Sequence, residues 1–238
     1  MTLLGRVVEV RRYPVKSMRG ELPDAAEVDP RGLAGDRLWA VRDQDGKLGS
    51  GKSSRRFRLM EGLLELASSY DPDDLGVPVV RFPDGTVVRG DDDAVHDRLS
   101  ETVGRRVELA REAAVVHFDA APVHLCTTAS LARLGALAAG SLVDPRRFRP
   151  NLVVDAPGAS GFAEDAWVGA RLRLGATLEL AVSERTERCV MVGLAQQELP
   201  DDPRILGVVA EVNERCLGVY AEVTRPGRVR LGDEVRLA

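Results

Sequence analysis

The first third of the chain has the apolar and polar pattern of short strands joined by turns. β-Branched or apolar runs bounded by turn residues predict strands at residues 3–13, 37–42, 79–82 and 86–89. The last two flank Pro83-Asp84-Gly85, a strong hairpin signal. Residues 91–103 open with three aspartates, which favour a helix N-terminus, and continue with helical spacing before a predicted strand at 105–110. Residues 59–67 fit either a short helix or a buried strand.

The second half continues the β-rich pattern and adds two helices. Strands are predicted at residues 123–126, 151–155, 171–174, 177–183, 217–223 and 235–237. Thr127 or Thr128 can cap a helix through Leu137, and Pro203 begins another that runs to Glu214. The Ala-rich residues 113–122 form a predicted linker between domains 1–112 and 113–238. Strands outnumber helices without regular alternation, which predicts a mainly β (α+β) protein of barrel-like architecture.

Composition narrows the class of protein. The 238 residues are 44% apolar and 29% charged, which is ordinary for a soluble globular chain of one or two domains. A net charge of −4 does not favour nucleic acid as a partner. The sequence has no apolar run of 18 residues and its N-terminus lacks a signal-peptide pattern, so we expect a cytoplasmic protein without a membrane partner. Its three cysteines suggest neither a disulfide framework nor a CxxC metal site.

One short motif points to a different class of protein. Residues 46–53, GKLGSGKS, match the phosphate-loop pattern of nucleotide hydrolases, and LVVD at 152–155 resembles its magnesium-binding partner. That loop requires a buried strand before it and a helix after it. Residues 42–45 are instead a polar turn, and residues 54–58 are a weak helix start. We therefore interpret the motif as a Gly/Ser-rich hairpin loop.

Four clusters of polar residues stand at predicted strand ends, where loops can face a common pocket. They are Lys16-Ser17, Asp36-Arg37, Arg149-Pro150-Asn151 and Thr186-Glu187-Arg188-Cys189. Lys16, Arg37, Arg147 and Arg149 together could neutralise a phosphate, and the helix beginning near Thr127 would add backbone donors. Arginine-rich loops are more often solvated surface, so this pattern alone leaves both interpretations open.

Cys189 follows Arg188, and a neighbouring cation favours the thiolate form that serves as a nucleophile or a soft metal ligand. A lone cysteine at a strand start is more often part of a buried core. The three histidines, His96, His117 and His124, are too scattered along the chain to predict a metal triad or a catalytic base.

Six sequence blocks together resemble the MOSC-domain family, named for the C-terminal domain of molybdenum cofactor sulfurase. They are YPVKSMRGE, GLAGDRLWAV, RRFRPNLVV, FAEDAWVGARLRLG, TERC and LGVYAEVTRPGRVRLGD, in the order seen in that family. The arrangement is similar to two-part members with an N-terminal β-barrel domain, and the pattern resembles that of the mitochondrial amidoxime-reducing components and their bacterial counterparts. The resemblance implies a MOSC-type β-barrel preceded by a smaller β-rich domain.

The resemblance also implies a molybdenum–molybdopterin cofactor and assigns residues to it. Cys189 matches the position of the cysteine that ligates the metal, which makes it the expected catalytic and metal-binding residue. The expected cofactor-binding residues are Lys16, Ser17, Arg37, Thr127, Arg147, Arg149, Asn151 and Arg188. Lys16, Ser17 and Arg37 match the side of the pocket that binds the pterin phosphate. Binding of pyridoxal phosphate is not expected.

The implied activity is the reduction of N-hydroxylated small molecules, N–OH to N–H. Because no iron–sulfur domain follows in the sequence, we expect electrons from a separate reductase or ferredoxin. The amidoxime reducers carry paired threonines just after the metal ligand, whereas this chain has Val190-Met191-Val192-Gly193. The alternative is a non-catalytic carrier of the cofactor, or of sulfur, that uses Cys189.

Overall fold

The structure, a computed structural model, describes residues 2–71 and 73–238, and strands make up most of its regular elements. In chain order these are β1 (Leu3–Val10), β2 (Ala25–Asp29), β3 (Gly32–Leu33), β4 (Trp39–Asp43), β5 (Leu48–Ser50), β6 (Phe57–Leu59), β7 (Ala67–Asp71), β8 (Asp74–Arg81), β9 (Val87–Arg89), β10 (Val107–Arg111), β11 (Val123–Thr127), β12 (Leu152–Asp155), β13 (Arg171–Leu174), β14 (Leu178–Glu187), β15 (Cys216–Arg225), β16 (Gly227–Arg230) and β17 (Glu234–Leu237). The helices are α1 (Ala94–Val103), α2 (Thr128–Leu137), α3 (Pro145–Phe148) and α4 (Arg204–Asn213). Short 3-10 turns lie at Leu63–Glu65, Ala163–Trp167 and Val190–Val192. Among the described helices, none is long and apolar enough to cross a membrane.

A closed barrel of seven strands, in the order β1-β12-β11-β15-β14-β13-β17, forms the centre of the molecule. Strands β11 and β12 run parallel, with Leu125 opposite Leu152, and the other neighbouring pairs are antiparallel. Leu125 and Val219 point into the apolar barrel interior, whereas Cys126 and Leu217 pack against helices outside it. Strands β11 and β12 are buried on both faces, which explains their near-continuous apolar runs. The mainly β fold with a barrel is thereby confirmed.

The remaining strands form smaller sheets around the barrel. The order β10-β4-β5-β6 makes a four-stranded sheet, and β7-β8-β9 and β16-β2-β3 make three-stranded ones. A second apolar core lies between the first two sheets and α1, and includes Val41, Leu63, Val80 and Leu99. The first strand of the chain completes the barrel of the second half, and β16 pairs with β2, so the halves exchange strands. The division at residues 112 and 113 stays a prediction.

Two helix starts follow their local sequence. The Thr127 hydroxyl accepts a hydrogen bond from the backbone N–H of Ser130, which caps α2. The Asp144 carboxylate accepts from the N–H of Arg146 and precedes Pro145 at the first position of α3. Helix α3 was not predicted, because its four residues are too few to show a periodic pattern. It ends at Arg149, whose φ of 55° turns the chain into β12.

Several predicted boundaries differ from those in the structure. Strand β4 begins at Trp39 rather than at residue 37, and β14 extends to Glu187 rather than to residue 183. Residues 59–67 are neither one helix nor one strand: a 3-10 turn lies between the end of β6 and the start of β7. Residues 227–230 form β16, a strand that was not predicted. Its pairing partner β2 is about 200 residues earlier, so local pattern does not reveal the strand.

The GKLGSGKS motif is only partly a loop: Gly46 lies in the hairpin turn between β4 and β5, and residues 48–50 of the motif form β5 itself. The Gly46 N–H donates to the carbonyl of Asp43 at 2.9 Å, and Leu48 pairs antiparallel with Arg42. No helix follows it before the strand that begins at Phe57, within a fully described part of the chain. The backbone cradle of a phosphate loop is therefore not formed here.

Candidate functional site

One cavity, with a volume of about 100 Å³, lies where the loops of the N-terminal half meet the barrel. Eight of the nine predicted site residues line it: Lys16, Ser17, Arg37, Arg147, Arg149, Asn151, Arg188 and Cys189. These residues come from both halves of the chain, so the cavity is completed only when the halves pack together.

Lys16 provides a buried cation in the cavity wall. Its side chain is 4% exposed, and its Nζ donates to Asp119 Oδ1 at 2.8 Å. The same Nζ lies 4.7 Å from the centre of the Phe57 ring. Burial lowers the pKa of Lys16, because water no longer stabilises the ammonium, and the Asp119 carboxylate offsets part of this effect.

Arg37 and Arg149 both pack against the ring of Tyr13. Their guanidinium carbons lie 4.6 and 4.2 Å from the ring centre. Arg37 is ion-paired with the buried carboxylate of Asp36 and donates to the Arg149 carbonyl at 3.1 Å. Arg149 donates to the Met18 carbonyl at 2.8 Å, and its buried Nη2 has no hydrogen-bonding partner among the described residues. Burial lowers the pKa of Arg149 to about 10, so keeping this guanidinium charged in the folded protein costs free energy.

Three of the predicted site residues have a backbone conformation that is unfavourable for side-chain-bearing residues. The φ angles are 64° at Ser17, 48° at Arg37 and 55° at Arg149. A left-handed residue other than glycine costs roughly 1–2 kcal/mol. Such strain concentrates at binding and catalytic sites, where the surrounding structure holds it in place. The Ser17 hydroxyl donates to the Gly49 carbonyl at 3.0 Å, which fixes this loop against β5.

Arg147 has a different environment from the other cations. It is 1% exposed, and its guanidinium donates at 2.7–3.3 Å to the carbonyls of Leu142, Val192, Leu194 and Pro200. Two of these carbonyls belong to the segment just after Cys189. The guanidinium of Arg147 thus donates its hydrogen bonds to backbone carbonyls. Arg147 therefore positions the segment after Cys189 and does not have its donors free to bind an anion.

Cys189 lies at the point where β14 ends and a 3-10 turn begins. Its carbonyl accepts from the N–H of Val192 at 3.2 Å, and its thiol is free and half-buried. The preceding Arg188 donates to the Phe148 carbonyl at 2.6 Å and keeps its buried Nε without a partner. Cys126 lies in the apolar core, whereas Cys216 is half-buried at the start of β15.

The remaining two predicted residues connect elements of the fold. Asn151 donates to the Arg11 carbonyl and accepts from the N–H of His124, which ties β12 to the segment after β1 and to β11. The structure places Thr127 outside the cavity lining. Its hydroxyl donates to the buried carboxylate of Glu164 at 2.6 Å, and its role there is to cap α2.

Sequence reasoning missed several residues that line the cavity, among them Lys52, Asp119, His124 and Tyr220. Lys52 belongs to the GKLGSGKS loop, and Asp119 to the predicted linker. Burial lowers the pKa of His124 well below its ordinary value, so the imidazole is neutral at pH 7. Partial desolvation at the cavity would raise the pKa of Asp119, but the cations Lys16 and Arg37 hold it below its usual range.

Comparison with known proteins identifies the family. The model of the MOSC domain matches residues 105–236, and the model of the MOSC N-terminal beta barrel domain matches residues 4–81. The chain belongs to the MOSC-domain family. Mitochondrial amidoxime reducing component 2 of Bos taurus is 25% identical, over 98% of this chain and 83% of its own length. The crystal structure of the YuaD protein from Bacillus subtilis aligns with a TM-score of 0.54 at 14% identity, covering 97% of this chain and 93% of that one, and it shows the shared fold.

The MOSC family is associated with the molybdenum cofactor, and the cavity of this MOSC protein fits such a group. The buried, unpartnered Arg149 Nη2 and Arg188 Nε are donors suited to an anionic phosphate. A thiol, the soft ligand that a redox metal accepts, lines the same cavity at Cys189. Within residues 2–71 and 73–238, no three His, Cys, Asp or Glu side chains cluster to hold a metal.

Proposed function

We propose that this protein binds the molybdenum–molybdopterin cofactor in the cavity and reduces N-hydroxylated small molecules with electrons from a separate donor protein. The observation that carries the proposal is the convergence of Cys189 with unpartnered guanidinium donors in one cavity. The 25% identity to an amidoxime reducing component over nearly the whole chain supports the reaction class. No single predicted residue would carry this conclusion alone.

The cofactor-binding roles divide between the two halves of the chain. Lys16 and Arg37 would hold the phosphate from the N-terminal side, and Arg149 and Arg188 from the barrel side. Cys189 Sγ would ligate the metal. When bound, the cofactor supplies a two-electron redox centre, and the protein supplies binding and orientation.

The chain's own residues also control access to the site. The reduction of N–OH to N–H consumes two electrons and two protons and releases water. Asp119, whose side chain is 56% exposed, brings one wall of the cavity into contact with solvent, so protons and water can exchange there. The buried Arg147 and Phe148 also line the cavity, and Arg147 holds the segment that follows Cys189 through the carbonyls of Val192 and Leu194. These contacts would keep the thiol in place while the substrate binds.

The test is turnover by protein purified from a host that makes the cofactor. A reduced dye serves as the electron donor, and benzamidoxime and a hydroxylamine serve as substrates. We expect substrate-dependent oxidation of the dye, lost by at least about 100-fold in Cys189→Ala because the metal loses its protein ligand. Cys216→Ala, which changes a thiol that does not line the cavity, is the matched control and should retain the rate.

A second candidate is the carrier function, and the accessibility of Cys189 favours it. The thiol is half-buried and is followed by Val190, which is 53% exposed, so a partner protein can reach it. A carrier would hold stoichiometric cofactor, or a persulfide on Cys189, without turnover. Absence of dye oxidation by cofactor-loaded protein, together with a mass increase of one sulfur atom on Cys189, would favour this function over the reductase.

A further inference from the structure

One cation of the cavity, Lys52, has no hydrogen-bonding partner. The ammonium of Lys16 and the guanidinium of Arg37 are paired with carboxylates, and the other lining cations, Arg147, Arg149 and Arg188, donate to backbone carbonyls. Across the described residues, no acceptor forms a hydrogen bond with Lys52; its Nζ lies 5.5 Å from the centre of the Phe57 ring, and its charge also acts on the Asp119 carboxylate, which is already hydrogen-bonded to Lys16. An ammonium in a cavity wall without a partner is available for an anionic ligand.

The backbone beside Lys52 is fixed against the segment that follows Cys189. The Gly51 N–H donates to Met191 Sδ at 3.1 Å. A Cβ at Gly51 would lie 2.3 Å from Leu194 Cδ1 and 2.5 Å from Met191 Sδ, so a larger residue there would require both side chains to shift. The contact joins the GKLGSGKS loop to the Cys189 segment. The position of Lys52 at the cavity is therefore fixed by the contacts of the neighbouring Gly51 and not by hydrogen bonds of the Lys52 side chain.

The charges around the cavity exceed what one phosphate can neutralise. The lining carries six cationic side chains and two carboxylates, those of Asp119 and Glu187. A phosphate monoester carries about two negative charges at neutral pH. With the Asp36 carboxylate that pairs with Arg37 also counted, one net positive charge remains after a phosphate is bound. Among these lining cations, Lys52 is the one without a hydrogen-bond acceptor, so its ammonium can bind a second anionic group.

We propose that Lys52 binds an anionic group, such as a carboxylate, on the substrate, so that the protein prefers anionic N-hydroxylated molecules. This inference rests on the proposed function and specifies its substrate class. The same charge chemistry could serve the phosphate of the cofactor instead, and the experiment separates the two sources by measuring cofactor content. A single desolvated charge-assisted contact is expected to give about tenfold discrimination.

The experiment compares benzamidoxime with 4-carboxybenzamidoxime on the cofactor-loaded protein. We expect the wild type to favour the carboxylated substrate about tenfold in kcat/KM, with the difference in KM. Lys52→Ala should abolish that ratio, and Lys52→Arg should restore most of it. Lys47→Ala, in the same loop but outside this cavity, is the matched control, because Lys47 donates to the Ser54 carbonyl.

A binding measurement keeps the test independent of turnover. Calorimetry on the same proteins should show about tenfold weaker binding of 4-carboxybenzamidine to Lys52→Ala than to Lys47→Ala. Equal affinities, or an unchanged substrate ratio, would overturn the proposal. Loss of molybdenum from Lys52→Ala would also overturn it, since the lysine would then hold the cofactor phosphate. If the wild type reduces neither substrate, the proposed function fails, and the calorimetric comparison still decides the role of Lys52.

Discussion

Replacement of Arg147 by methionine tests whether this residue positions the Cys189 segment. The guanidinium is 1% exposed and donates to four backbone carbonyls, at 2.9 Å to Leu142, 3.3 Å to Val192, 3.2 Å to Leu194 and 2.7 Å to Pro200. Methionine has a similar length but no donors. Arg147→Met therefore leaves the carbonyls without these partners while filling most of the same space.

The size of the effect follows from those contacts. A hydrogen bond to a charged group contributes about 1.5–3 kcal/mol, but water can reach some of the freed carbonyls, and the buried charge itself is costly. We expect a net loss of about 3 kcal/mol in the free energy of unfolding. For a chain of this size, that corresponds to a fall in Tm of roughly 6–12 °C.

The assay is urea unfolding of the cofactor-free protein, followed by tryptophan fluorescence. Arg146→Met is the matched control, since its ion pairs with Asp144 and Glu198 are solvent-accessible, and it should cost less than about 1 kcal/mol. If Arg147→Met lowers the free energy of unfolding by less than about 0.5 kcal/mol, or if both variants lower it equally, the positioning role is refuted.

Three further predictions concern other parts of the site and its support. Arg149→Met should leave the cofactor-free protein as stable or more stable in urea, because burial disfavours this charge, while lowering molybdenum content; a stability loss like that of Arg147→Met would contradict this. Burial lowers the pKa of His117 from 6.5 to about 4, so the unfolded chain binds a proton that the folded chain excludes. The free energy of unfolding should fall as pH decreases from about 6.5 to 4, less steeply in His117→Gln, and equal slopes would argue against it. Gly32→Ala should lower the free energy of unfolding in urea by about 2–4 kcal/mol, since φ is 103° and the new Cβ would lie 2.5 Å from the Pro122 carbonyl oxygen. A decrease below about 1 kcal/mol would contradict this, because it would mean that the backbone moves to relieve the contact.

Much of the barrel could be predicted because its strands carry their own local signals. The continuous apolar run at β12 and the helix cap at Thr127 can be recognised from the local sequence without knowing which strand pairs with which. The inclusion of β1 in the barrel is not, since its neighbours β12 and β17 follow more than 140 residues later. Long-range pairing depends on tertiary packing, which a local pattern does not contain.

The site was predictable to a similar degree. The cations and Cys189 were found from their position at strand ends and from the family resemblance, and the structure brings them together. Asp119 was missed because a single acid in an Ala-rich segment gives no signal until its partner Lys16, 103 residues earlier, is known. Lys52 was noticed only as part of a motif for another chemistry, and its position at the cavity depends on the contact between Gly51 and Met191.

The central claim is that Cys189 ligates a molybdenum centre in this cavity. The most direct measurement is the molybdenum and pterin content, with the electronic absorption spectrum, of protein from a cofactor-competent host. Wild type and Cys216→Ala should each hold about one molybdenum and one pterin per chain. Cys189→Ala should retain pterin but show less molybdenum and a changed metal spectrum. Wild-type protein without molybdenum or pterin, or a Cys189→Ala spectrum identical to that of the wild type, would contradict the account.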